Sequence, residues 1–158
     1  MKSILAVVAV ALAAAGVATA AGNPIQRDQI TVRVDRPVFL GPTPACQAFR
    51  AETRLLSESG AVVGSSFFCV SSAVPEGPLV TQTGTLTLFL PGGKIVTEAA
   101  IVDDFGGFPN VGQTISGAVV EGSGLYLGAS GTLSGGGTIV IDENGVPHPN
   151  STLVVDLD

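Results

Sequence analysis

The segment that most restricts the fold of this 158-residue chain is residues 122–131, G-S-G-L-Y-L-G-A-S-G. It lies between runs rich in Val, Ile and Thr, which are residues that favour strands. Glycine in such surroundings marks tight turns, bulges or places where two backbones approach closely. The glycines of this segment, hereafter the glycine segment, are Gly122, Gly124, Gly128 and Gly131. A strand is predicted at Leu125–Leu133.

The two-residue period of strands is widespread in the chain, whereas helical periodicity is not found over a useful length. The clearest alternation is in residues 81–88, where four threonines alternate with Gln82, Gly84, Leu86 and Leu88. Turn residues such as Pro91-Gly92-Gly93 separate these runs. The other predicted strands are Ile30–Val34, Ala48–Leu56, Val62-Val63 with Phe67–Val70, Lys94–Val102, Thr114–Glu121, Thr138–Ile141 and Thr152–Leu157.

About eight or nine short strands with frequent turns predict an all-β fold, either an antiparallel barrel or a sandwich. Closing the sheet into a barrel removes exposed strand edges, which would otherwise pair with other chains. An eight-stranded barrel either fills its interior with side chains or holds one small ligand.

The first twenty residues have the pattern of a cleavable signal peptide. Lys2 supplies the positive start, Ile4–Val17 is apolar, and Ala18-Thr19-Ala20 offers a cleavage site after Ala20 or Ala21. The alternative, a membrane-spanning helix, requires about 20 apolar residues, and the apolar run here is shorter. We therefore expect a secreted or periplasmic protein with one domain at residues 21–158 and no integral membrane segment after cleavage.

The mature chain is acidic, because removal of Lys2 leaves six basic residues against thirteen acidic ones. This charge argues against nucleic acid or an anionic membrane as partner, and its simplest role is solubility.

Cys46 and Cys69 are the only cysteines, and both lie in the exported part. An even pair in an oxidising compartment predicts one disulfide, with two unlinked thiols as the alternative. A metal site is not expected, because two thiols and the lone His148 do not make a tetrahedral set.

The glycine segment resembles the signature of the allene oxide cyclase and dirigent barrel superfamily, roughly G-(S/T)-G-x-(Y/F)-x-G-A-x-G. Residues 49–69 are similar to the early hairpin of that superfamily, and residues 90–95, L-P-G-G-K-I, are similar to its next hairpin. The similarity spans about residues 49–133. One position departs from the pattern, since many members have a glycine where this chain has Glu121.

The resemblance implies a single closed antiparallel eight-stranded β-barrel that needs no cofactor. Family members cyclise an unsaturated epoxide or polyketide-derived intermediates, or direct the stereoselective coupling of phenoxy radicals. The implied partner is a small apolar metabolite in the barrel lumen, and the implied assembly is a homodimer or homotrimer. The competing interpretation is non-catalytic: a secreted barrel that binds a lipophilic molecule, or a structural module with a filled core.

Four polar residues are the candidates for chemistry. Glu98 interrupts an apolar strand and would be a buried acid or base if it faces the lumen, or a solvated charge if it faces outward. Asp103 and Asp104 are adjacent and therefore point to opposite faces, so that one of them can reach the barrel mouth; the alternative is that they are solvated charges at a strand end. Tyr126 either packs against the glycine turn or donates to a substrate oxygen. Arg54 either lies on a solvated face or holds an oxyanion.

Overall fold

The computed structural model describes residues 29–158 as eight strands and two short 3-10 turns. The strands are β1 (Gln29–Leu40), β2 (Phe49–Leu56), β3 (Val62–Glu76), β4 (Leu79–Leu90), β5 (Gly93–Asp104), β6 (Asn110–Gly122), β7 (Gly131–Ile141) and β8 (Pro147–Leu157). The predicted signal peptide at residues 1–20 and its cleavage site lie outside the described residues. Within residues 29–158, no helix has the length and apolar character needed to cross a bilayer.

Each strand pairs antiparallel with the next one in the chain, and β8 pairs with β1, so the sheet is a closed barrel. The predicted closed eight-stranded antiparallel barrel is thereby confirmed. Because the strands run alternately up and down, the connections gather at two ends. The mouth is formed by residues 41–48, 77–78, 105–109 and 142–146, and the closed end by residues 57–61, 91–92 and 123–130.

The two-residue period separates an inward face from an outward face on every strand. Inward side chains near the closed end are large, branched and without measurable exposure, and they fill that half of the barrel. They include Leu55, Leu88, Ile95 and Val155. Their burial is the main apolar contribution to stability.

The glycine segment differs from its predicted conformation. The expected strand at Leu125–Leu133 is wrong: Gly124–Tyr126 is a 3-10 turn, and β7 begins only at Gly131. Gly124 has a φ of 65° and Gly128 a φ of 77°, which are left-handed conformations outside the strand region. The amide of Leu125 donates to the carbonyl of Gly92, which ties this loop to the β4–β5 turn at the closed end.

A disulfide joins Cys46, in the connection that follows β1, to Cys69 on β3. The predicted pairing is therefore present, and it anchors the 41–48 connection at the mouth. β1 also carries a bulge between Asp35 and Val38, where Arg36 has a φ of 49°. The extra residue shifts the inward side from even-numbered to odd-numbered positions, so that Pro37 and Phe39 line the lumen after Val34.

Candidate functional site

The half of the barrel nearest the mouth contains a cavity of about 100 Å³. Its wall is mostly apolar, and it takes residues from strands all around the barrel. Apolar lining residues include Phe39, Phe49, Phe68, Ile115, Ile139 and Leu153. Short side chains in this wall, Ala51, Thr53 and Ser66, leave space between the larger apolar lining residues.

Asp103 is the charged group of this cavity. It is the last inward residue of β5, and it is only 6% exposed. Nε2 of Gln113 on β6 donates to its Oδ1 over 2.9 Å, and Nε2 of Gln82 on β4 donates to its Oδ2 over 2.5 Å. All three side chains line the cavity. The carboxyl group is thus held from both neighbouring strands by neutral amide donors.

Burial shifts the acid strength of this group. The pKa of Asp103 lies above its usual value of 3.8 because desolvation disfavours the charged form, although the hydrogen bond from Gln113 partly offsets this effect. A carboxyl group with a raised pKa in a mostly apolar cavity is a common component of binding and catalytic sites.

A second polar pair lies in the wall formed by β2 and β3. The hydroxyls of Thr53 and Ser66 are 2.6 Å apart and satisfy each other. Thr53 lies opposite the β1 bulge, where Arg36 and Pro37 interrupt the pairing of β1 with β2. Because the two hydroxyls share one hydrogen bond, each keeps capacity for a further partner.

A vestibule of about 310 Å³ adjoins the cavity at the mouth. Phe39, Gln82, Asp103 and Ile139 line both spaces, so they mark the passage between them. The vestibule also takes Phe105, which is 42% exposed, from the 3-10 turn at Phe105–Gly107. Phe39, which is 58% exposed, and Phe105 form an exposed apolar surface at this mouth, and contiguous exposed apolar surfaces can mark ligand-binding grooves.

The other three predicted site residues lie elsewhere. Glu98 faces outward and lines a shallow groove on the outer wall with Thr83, Thr85 and Ser116. The solvated alternative for Glu98 is therefore the one that the structure has. Of the four candidates, only Asp103 faces the lumen.

Arg54 also lies on the outer wall, where its guanidinium forms an ion pair with Asp35 of β1. Tyr126 lies in the loop at the closed end, opposite to the mouth, and its hydroxyl donates to the carbonyl of Pro91 over 3.3 Å. Its ring packs partly against the core, which is the structural alternative for this residue.

Gln82 and Gln113 are not among the site residues predicted from the sequence. A signal for both was present, because each is a polar residue on the apolar face of an alternating strand. Gln82 shares its face with Leu86 and Leu88, and Gln113 shares its face with Val111 and Ile115.

Within residues 29–158, no group of three or more His, Cys, Asp or Glu side chains is placed to hold a metal ion. No protein-family model matches the chain, and comparisons with curated proteins and with solved structures give no match.

Proposed function

We propose that this barrel binds a small, mostly apolar molecule, which enters through the mouth and contacts Asp103. The observation that carries the proposal is the buried carboxyl group in an otherwise largely apolar cavity that opens towards the mouth. Ligand sites are typically apolar pockets with a few convergent polar groups.

The volumes of the cavity and the vestibule limit the size of the ligand. Sites for drug-sized molecules measure about 300 Å³ or more, whereas an apolar cavity of about 150 Å³ is sufficient for benzene. The cavity of about 100 Å³ therefore suits a short chain or part of one ring. The remainder of the ligand would occupy the vestibule, between Phe39 and Phe105.

Filling the cavity tests this proposal. Ala51 is 8% exposed and lines the cavity, so Ala51→Leu should place extra methyl groups in the ligand space. We expect the variant to fold and to lose binding of single-ring molecules in a ligand titration followed by NMR. Leu127→Ala, at an 82% exposed position of the closed end, is the matched control and should bind as the wild type does. Equal binding by Ala51→Leu and the wild type would refute a ligand site in the lumen.

A catalytic role for the same site is the second candidate, in which the barrel directs cyclisation or stereoselective coupling of the bound metabolite without a cofactor. Two observations favour it: the raised pKa of Asp103, which suits proton transfer, and the resemblance of residues 49–133 to allene oxide cyclase and dirigent barrels. Asp103 would take a proton from the ligand and return it elsewhere, while the cavity holds the reacting conformation.

Asp103→Asn distinguishes binding alone from catalysis, because asparagine keeps the shape of the side chain but cannot act as a base near neutral pH. With a metabolite that the wild type converts, the kcat of the variant at saturating metabolite should fall about a hundredfold or more. Glu98→Gln, on the outer wall, should be unaffected. Unchanged turnover in Asp103→Asn would remove Asp103 from this role.

A further inference from the structure

The charges that face the cavity and the vestibule are strongly one-sided. Among residues 29–158, Asp103 is the only residue with an ionisable side chain that lines either space. The polar groups nearest to it, Gln82 on β4 and Gln113 on β6, are neutral. None of the basic residues in the described part of the chain lines either space. Arg54 and Lys94 form ion pairs with Asp35 and Glu121, and Arg50 donates to the carbonyl of Gly41 in the connection after β1.

This distribution has a direct consequence for acidic ligands. A carboxylate or phosphate in the cavity would lose hydration without gaining a counter-charge, and it would be repelled by Asp103. The formal net charge of the chain, −6, adds to the repulsion during approach. Fatty acids and other anions are therefore poor candidates for the lumen.

A positively charged group in the cavity would be attracted to Asp103 and would have it as a counter-charge. Both oxygens of Asp103 accept hydrogen bonds from amide N–H groups, which offset part of the desolvation that burial imposes on the carboxylate, and an ammonium partner would offset more of it. The rings of Phe39 and Phe49, 6.0 Å apart, stand in the wall of the same cavity. Aromatic faces attract cations, and this attraction increases where water is excluded.

We propose that the ligand of this lumen is an organic amine: a protonated nitrogen that pairs with Asp103, attached to an apolar body that fills the cavity and vestibule. This inference rests on the proposed function and names the chemical class of its ligand. The ammonium N–H groups donate to Asp103, whose carboxylate has lone pairs beyond those used by Gln82 and Gln113. The apolar body contacts Phe39, Phe49 and Phe105.

Three probes of the same size test the class: benzylamine, benzyl alcohol and benzoate, each titrated against the protein at pH 7 and followed by NMR. We expect benzylamine to bind at least about tenfold more tightly than benzyl alcohol, and benzoate to bind most weakly. In Asp103→Asn, the preference for the amine over the alcohol should disappear. Asp104→Asn, which alters the adjacent exposed carboxylate, is the matched control and should keep the preference.

The outcomes distinguish the two proposals. Equal affinities of the wild type for benzylamine and benzyl alcohol would overturn the amine inference and leave the ligand site standing. An amine preference that survives in Asp103→Asn would overturn the assignment to Asp103. Absence of binding by all three probes would overturn the proposed function as well. The ranking in the wild type needs no variant, so it stands even if Asp103→Asn fails to fold.

Discussion

Asp103 and Gln113 lie directly opposite each other on β5 and β6, and the Gln113 amide donates to the Asp103 carboxyl group over 2.9 Å. This register places a neutral donor beside a buried acid. Burying a charge without a partner costs several kcal/mol, and neutral hydrogen bonds recover only part of that cost. The barrel is therefore expected to be less stable with Asp103 at this position than it would be with an apolar residue of similar size. Proteins commonly lose stability in this way at their binding sites.

The raised pKa of Asp103 makes the stability of the barrel depend on pH. A carboxyl group whose pKa is higher in the folded state favours folding most when it is protonated, below its unfolded value near 3.8. This contribution is lost as the pH rises through the folded pKa. We expect the difference in unfolding free energy between Asp103→Asn and the wild type to grow in favour of the variant from about pH 4 towards neutrality. Urea unfolding across this range measures it.

Asp104→Asn serves as the control for this pH dependence, because Asp104 is the exposed neighbour on the same strand. Its unfolding curves should follow those of the wild type more closely than those of Asp103→Asn. If the difference in unfolding free energy between Asp103→Asn and the wild type does not change with pH, the pKa of Asp103 is not raised in the folded state.

The disulfide is expected to contribute about 3 kcal/mol, because Cys46 and Cys69 are 23 residues apart and the bond restricts a loop of that size in the unfolded chain. Replacing both cysteines with serine should lower the urea midpoint accordingly. Reducing agent should destabilise the wild type and leave the double variant unchanged. A wild type that is insensitive to complete reduction would contradict this expectation.

Shortening a buried side chain in the filled half of the barrel should strongly lower the free energy of unfolding. Leu88 has no exposed surface, and Leu88→Ala is expected to cost about 2–5 kcal/mol through lost burial and the cavity left behind. Leu127→Ala removes a side chain that is 82% exposed and should change stability by less than about 0.5 kcal/mol. Comparable losses for the two variants in urea unfolding would show that the closed end is not tightly packed.

Two glycines of the glycine segment should differ in their tolerance of alanine. Both have positive φ, which costs alanine about 1–2 kcal/mol. At Gly124 an added Cβ would also lie 2.0 Å from the Gly92 carbonyl oxygen, whereas at Gly128 nothing lies within 4 Å. Gly124→Ala should therefore lose clearly more stability than Gly128→Ala in thermal unfolding. The reverse order would contradict the close approach of Gly124 to the Gly92 carbonyl.

Much of the fold follows from local pattern. The alternation in residues 81–88 predicted β4 with its threonines on one face, and those threonines do face outward. The prediction at Leu125–Leu133 was wrong because Leu125 and Leu127 imitate strand alternation, although both are exposed in a loop that turns at Gly124 and Gly128. There, the left-handed backbone and the hydrogen bond to Gly92 outweigh the residue pattern.

The sequence by itself determined most of the strands, the two cysteines available for a disulfide and the rule that Asp103 and Asp104 must face opposite sides. Only the tertiary structure decided that Asp103 is the one inside and that Glu98 is outside. The reason is geometric: a period of two separates the faces of a strand, but which face is inward depends on the direction in which the whole sheet curls. Closure also decided which amides meet the carboxyl group, since Gln82, Asp103 and Gln113 come together only through the register of β4, β5 and β6.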